Sequence, residues 1–222
     1  MPLHLIHGPM NSGRTGLVLN RVRDAARRDP ILVAPNADAQ FALESELSRD
    51  RGAVLGINVT GPRGLAIAVL EATGGRAPQI AGPVERTALA RRALGRAAPR
   101  MLARSATAPG FAAALDSLIA ELRASLVAPD RATGDDPYLD ELMSLYSAQR
   151  DEMRAAGLCD ETDLYTQATT GLETNPDAWR ARPTFLLGFD DLAPDQLGLV
   201  GKLAEACEVT VSITREDRAA LR

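Results

Sequence analysis

Lysine is almost missing from this 222-residue chain: of 25 basic residues only Lys202 is a lysine, and the rest are arginine. Aromatic residues are scarce as well, at 4% against a hydrophobic share of 45%. The core must therefore be aliphatic, which disfavours a barrel or sandwich rich in β-aromatics. The two cysteines, Cys159 and Cys207, lie far apart without metal-ligand neighbours, so reduced thiols are expected rather than a disulfide framework. His4 and His7 lack the cysteine or carboxylate companions that a zinc site needs. No run approaches the roughly 20 apolar residues of a membrane-spanning helix, and the chain opens directly into Leu3-His4-Leu5-Ile6. The expectation is a soluble, cytoplasmic protein with no membrane partner. A net charge of −4 argues against a freestanding basic nucleic-acid module and leaves DNA contact to a local groove.

What is present is a pattern of alternating strands and helices. Leu3 to Ile6 reads as a strand, followed by a glycine-rich turn and a helix from Gly13 to Ala26 with Val18, Leu19, Val22 and Ala26 on one side. Ile31-Leu32-Val33 is a short, wholly apolar run of the kind buried on both faces of a parallel sheet. Asn36 offers an N-cap for a helix carrying Phe41, Leu43 and Leu47. A third strand is expected over Val54 to Val59, then a Gly61-Pro62-Arg63-Gly64 turn and a helix through Leu65, Ala66, Val69 and Leu70 that Gly74-Gly75 stops.

From residue 83 the pattern turns helical for nearly a hundred residues. Phe111, Leu115, Leu118, Ile119 and Leu122 form an apolar stripe, Leu139, Leu142, Tyr146 and Met153 suggest a further helix, and Asp160-x-x-Asp163 resembles a capping arrangement. The sheet then resumes with a strand over Thr184 to Leu187, a helix over Pro194 to Ala206 and a strand over Val209 to Ile213. These elements predict an α/β protein: a discontinuous parallel-sheet domain (residues 1–82 and 180–222) with an all-helical insertion (83–179).

The segment Gly8-Pro9-Met10-Asn11-Ser12-Gly13-Arg14-Thr15 fits G-x-x-x-x-G-[K/R]-T and lies between the first strand and the first helix. A phosphate-binding loop works because successive backbone N–H groups and a helix N-terminus converge on the β-phosphate. Gly8, Asn11, Ser12, Gly13, Arg14, Thr15 and Gly16 are the candidates for holding ATP, with the Thr15 hydroxyl on Mg²⁺. Arg14 stands where such loops carry lysine, and a planar guanidinium is a poor geometric replacement for a compact ammonium. An ordinary glycine-rich β–α turn has the same local pattern. A second metal ligand would have to come from the end of a neighbouring strand, where Asp190 and Asp191 are the available acids; the same pair also suits a surface turn before the helix at Pro194.

At these residues the chain resembles the N-terminal, superfamily 1 helicase-like region of AddB/RecB-type subunits of bacterial helicase–nucleases, which process double-strand breaks. Four segments carry the resemblance: HGPMNSGRT; ILVAPNADAQFALESEL, similar to the helicase Ia segment that touches single-stranded DNA; INVTGPRGLAIAVL, similar to the segment that follows it; and FLLGFDDLAPDQLGLVGKLAE, similar to the Walker B region. The resemblance implies a RecA-like P-loop sheet, a helical insertion of the 1B type, DNA contacts at Asn36, Thr60 and Arg63, and a catalytic helicase–nuclease partner subunit acting on single-stranded or broken double-stranded DNA. It also implies a much longer native protein, since a second RecA-like domain and a nuclease site would lie elsewhere.

The departures are as informative as the matches. Aligned on the Walker B region, the Asp-Glu pair of an active helicase falls on Leu187 and Gly188, and a base-stacking aromatic of the third segment falls on Gly61. The leading expectation is thus an ATPase-degenerate domain for DNA handling and subunit contact. The alternatives are a surviving ATPase or helicase fragment that uses Arg14, Thr15 and Asp190 or Asp191 with ATP and Mg²⁺, and a small P-loop kinase-like enzyme, which the long insertion fits poorly.

Overall fold

A computed structural model describes residues 3–49, 56–130 and 136–215. Five strands, β1 (Leu3–Gly8), β2 (Ile31–Val33), β3 (Asn58–Thr60), β4 (Thr184–Phe189) and β5 (Val209–Thr214), form one sheet in the order β1-β5-β4-β2-β3. Every pairing is parallel. The architecture is α/β, a RecA-like parallel sheet. The third strand is shorter than the sequence pattern suggests, because only Asn58–Thr60 pair with β2; Val54 and Leu55 lie outside the described residues.

Two helices, α1 (Arg14–Asp24) and α2 (Ala37–Arg49), cover one face of the sheet. Val18, Leu19 and Val22 of α1 and Leu43 and Leu47 of α2 pack there with Leu32, Ala34, Phe185 and Leu187. Phe41 departs from expectation: at 72% exposed it stands off this core, because Leu43 and Leu47 share an i, i+4 row that position 41 does not join. The opposite face carries α3 (Pro62–Ala72) and α9 (Pro194–Ala206), whose Leu65, Leu199 and Val200 meet Val33 and Leu186. The central strands β2 and β4 are thus covered on both faces, as in other parallel sheets, whereas Leu3 and Leu5 of β1 are exposed.

By internal contacts the chain divides into two units. One comprises residues 1–77, 165–192 and 196–222, the other residues 78–164 and 193–195. The second unit is built from α4 (Pro83–Ala97), α5 (Ala103–Ala106), α6 (Phe111–Ala124), α7 (Pro137–Ala155) and the start of α8 (Glu161–Thr174). Ala90, Leu94, Leu115, Ile119, Met143, Leu145 and Tyr146 form its core. Leu118, read as part of the stripe, is partly exposed, whereas Asp116 and Arg123 are buried.

Those two charges belong to a polar network. Arg123 pairs with Asp160 at 2.8 Å and with Asp163 at 2.5 Å, and Asp116 accepts from Gln149 at 2.8 Å and from Arg86 at 3.2 Å. Asp160 and Asp163 also cap α8 reciprocally: the Asp163 N–H donates to Asp160 Oδ1 and the Asp160 N–H to Asp163 Oδ2. Burial raises the pKa of Asp160 above its ordinary value, against the opposing pull of Arg123.

Candidate nucleotide site

The glycine-rich loop joins β1 to α1 at the carboxyl ends of the strands, the edge at which open parallel sheets take their ligands. Gly13 is the N-cap of α1 with φ of 77°, and Asn11 also lies in the left-handed region with φ of 58°. The glycine meets this demand at no steric cost, and asparagine tolerates it. Thr15 and Gly16 are exposed in the first turn of α1.

Arg14 turns toward the sheet. Its Nε donates to Ser12 Oγ at 3.1 Å, its Nη2 to Thr214 Oγ1 at 3.1 Å, and its Nη1 to the carbonyl of Ile213. The guanidinium thus ties the loop to the end of β5, the strand next to β1. Its side chain also lies over Gly8, where an added Cβ would stand 3.0 Å from Ser12 Oγ and 3.4 Å from Arg14 Cδ. The Arg215 N–H donates to the Gly8 carbonyl at 2.9 Å, closing the same junction through the backbone. Neither partner of Arg14 on β5 carries a local sequence signal, since only the β1–β5 pairing brings them there.

The end of β4 holds Leu187 and Gly188, the pair on which the sequence resemblance would put the Walker B acids. Leu187 is buried in the core with Val18, Leu19 and Val22 of α1. Gly188 is exposed, has φ of 86°, and drops out of the register: Leu187 pairs with Ser212 and Phe189 with Ile213. This one-residue bulge moves Phe189 onto the face opposite Leu187 and extends β4 beyond the expected Leu187. Asp190 and Asp191 follow on that opposite face, at the rim of an apolar hollow lined by Leu3, Leu5, Phe189 and Val211. Lys202 is held by Glu205 at 3.1 Å and Glu173 at 3.5 Å, and the bond and charge of Glu205 raise its pKa.

The residues expected to touch DNA gather at the far side of the sheet. Thr60 ends β3, paired with Val33 of β2, and its carbonyl accepts from the Ala34 N–H at 2.8 Å. Asn36 caps α2, its Oδ1 accepting from the Ala39 N–H at 2.9 Å. Arg63 is exposed in the first turn of α3, after the N-cap Gly61. Three strand spacings to β2 and four to β3, about 14–19 Å, separate this cluster from β1 and its loop. At Gly61 a Cβ would find nothing nearer than the Ala34 carbonyl oxygen at 3.9 Å.

Among the described residues no group of three or more His, Cys, Asp or Glu side chains is gathered for a metal ion. Among them, too, no helix is long and apolar enough to cross a membrane.

An all-parallel sheet in this strand order, with a glycine-rich loop after its first strand and a helical unit between its third and fourth, defines a RecA-like α/β domain. Residues 5–221 match the model of the AddB N-terminal family, and the chain belongs to that family. It is 28% identical over 230 residues to a subunit of the ATP-dependent helicase/deoxyribonuclease of Desulfitobacterium hafniense (strain Y51), covering 96% of this chain and 19% of that protein. The corresponding protein from strain DSM 10664 / DCB-2 is 28% identical over 228 residues, covering 95% of this chain and 18% of that one. The chain spans about a fifth of the length of these curated relatives.

Proposed function

We propose that this chain is an ATPase-degenerate, helicase-like domain of a helicase–nuclease subunit that processes DNA double-strand breaks, and that it handles DNA and contacts a partner while another subunit hydrolyses ATP. The observation that carries this reading is the end of β4, where Leu187 is buried in the core and Gly188 sits in a left-handed bulge. A metal-bound nucleotide needs a carboxylate there to hold Mg²⁺ and to position water. Asp190 and Asp191 line the hollow on the opposite face from α1, and three donors of Arg14 are engaged within the protein. This set of residues does not fit a hydrolytic Mg–ATP site.

Membership of the AddB N-terminal family and the names of the relatives, subunits of an ATP-dependent helicase/deoxyribonuclease, support the partner and the DNA substrate. Residues 83–179 are proposed as an insertion of the 1B type. Asn36, Thr60 and Arg63 at the carboxyl ends of β2 and β3 are the proposed strand contact, with the exposed Arg63 reaching phosphate.

Phosphate release measured on the purified chain with Mg²⁺ and ATP tests the first half: no turnover is expected, and turnover that Arg14→Ala abolishes would overturn the reading. Titration with a single-stranded oligonucleotide at several salt concentrations tests the second. A salt-dependent affinity weakened by Arg63→Ala is expected, and an affinity that this substitution leaves untouched removes the proposed contact.

A further inference from the structure

Charges of the two signs are not mixed evenly along the chain. From Arg86 to Leu115 there are six arginines and no aspartate or glutamate, although acids outnumber Lys and Arg in the whole sequence, 29 to 25. A general preference for arginine over lysine accounts for the residue type and not for the missing acids. The stretch covers α4, α5 and the start of α6 in the helical unit. Arg86 turns inward, donating to Asp116 and to the Ala81 carbonyl, whereas Arg91, Arg92, Arg96, Arg100 and Arg104 are exposed. The side chains of Arg91, Arg100 and Arg104 have no hydrogen-bond or ion-pair partner among the described residues.

Arg92 and Arg96 are held from the inside by one carboxylate. Glu152 of α7, with its side chain only 6% exposed, pairs with Arg92 at 2.8 Å and with Arg96 at 3.1 Å, while those two side chains stay 65% and 70% exposed. Most of the five N–H donors on each guanidinium are therefore left for another acceptor. A planar fork whose position is already set loses less freedom when it takes up a phosphate. A second acid of α7, Glu141, is engaged by the backbone N–H groups of Met101 and Leu102. The five exposed guanidiniums outnumber these two carboxylates, so this surface is positive on a chain of net charge −4. No aromatic residue occurs between Arg86 and Gly110, and a grip on single strands draws on aromatic stacking. Charge and hydrogen bonds alone are the means by which a duplex is held through its backbone.

We propose that α4, α5 and the segment between them form a phosphate-binding ridge for double-stranded DNA. Arg91, Arg100 and Arg104 take backbone phosphates directly, and Arg92 and Arg96 do so from positions fixed by Glu152. No base is read, so binding is independent of sequence and falls steeply with salt. The choice of DNA as the polyanion rests on the proposed function, whereas the charge pattern stands by itself. The ridge uses none of Asn36, Thr60 and Arg63, the residues proposed for the single strand.

Fluorescence anisotropy with a blunt duplex and with a single strand of the same length, titrated at several salt concentrations, tests it. Arg91→Gln, Arg100→Gln and Arg104→Gln are combined in the purified protein; these side chains lack partners, so the variant keeps the fold, and Glu152 keeps its arginines. Duplex affinity at low salt is expected to fall about tenfold or more, and the slope of log affinity against log salt to lose about 2–3, near 0.9 for each phosphate contact. Arg91→Lys, Arg100→Lys and Arg104→Lys together retain the charge and should retain the slope. Arg63→Ala should weaken the single strand and spare the duplex. Duplex affinity unchanged by the glutamine variant overturns the ridge, as does an equal loss for single strand and duplex. A parent protein that binds the single strand but no duplex overturns it too, and leaves the proposed function standing; failure to bind either strand form removes both. Unchanged duplex affinity with weakened association of the partner subunit assigns the arginines to a protein interface instead.

Discussion

Arg14 Nη2 donates to Thr214 Oγ1 at 3.1 Å across 200 residues of sequence, and this bond helps hold the glycine-rich loop against the end of β5. Loop and strand therefore share one donor, and what the loop can bind depends on where that donor is spent. A cation that bridges phosphates must be free to leave its protein partners; Arg14 has acceptors on Ser12, Ile213 and Thr214.

Arg14→Ala is expected to lower stability by about 1–2 kcal/mol, the sum of partly exposed hydrogen bonds to a charged donor. Urea unfolding measures it. Arg14→Lys should lose most of the same amount, because a single ammonium cannot span Ser12 Oγ and two acceptors on β5 at once. A lysine variant as stable as the parent would show that these bonds contribute nothing.

Gly188→Asp restores a carboxylate at the end of β4, where the proposed function requires one for hydrolysis, yet it is expected to give no ATP turnover. The backbone there has φ of 86°, and a Cβ meets Pro35 Cδ at an ordinary 3.6 Å. The cost is therefore conformational, about 1–2 kcal/mol. Thermal unfolding and phosphate release on the same sample check both halves. Gain of hydrolysis would mean that the loop already holds Mg–ATP productively.

In the helical unit, burial raises the pKa of Asp160 above its value in the unfolded chain. The folded state therefore binds the extra proton more tightly than the unfolded state does. The contribution of Asp160 to stability is fully present below the unfolded value near 3.8 and is lost as pH rises through the raised folded value. Asp160→Asn keeps an acceptor for the Asp163 N–H and removes the titration. The stability of the parent relative to this variant should fall as pH rises from 3.8 through the raised folded value, as followed by urea unfolding at a series of pH values. A difference that does not change with pH contradicts the shift.

Gly61→Phe tests the DNA segment from the side of a gain. The position has extended backbone, with φ of −92° and ψ of 176°, and makes no side-chain cap, so the aromatic ring enters without backbone strain. If the strand passes over Thr60 and Arg63, stacking contributes about 1–3 kcal/mol per base, at least a fivefold tighter affinity for single-stranded oligonucleotides. Unchanged affinity, with Arg63→Ala also silent, moves the DNA path away from α3.

Much of the fold was legible because local chemistry and tertiary role coincide. The apolar run Ile31–Val33 is β2, Pro194 opens α9, and Asp160 with Asp163 forms the reciprocal cap that the spacing suggested. What was not legible depends on pairing across the chain. The bulge at Gly188 exists only relative to β5, and nothing near Arg14 in sequence reveals that its acceptors are Ile213 and Thr214. Arg123 was missed although a signal was present. It lies four residues after Ile119 on the buried face of α6, and a charge in that row calls for a buried partner.

The strand order also bears on how the chain must fold. Leu3 lies opposite Val209, so the earliest-made of the described strands finds its neighbour in the sheet only when nearly all of the described chain has been made. Closing so long a loop is slow. The contacts of α4, α6 and α7 are far more local, and this helical bundle can collapse while β1 still waits, its leucines open to solvent and to other chains. Aggregation during synthesis is therefore governed by how fast translation runs from β1 to β5.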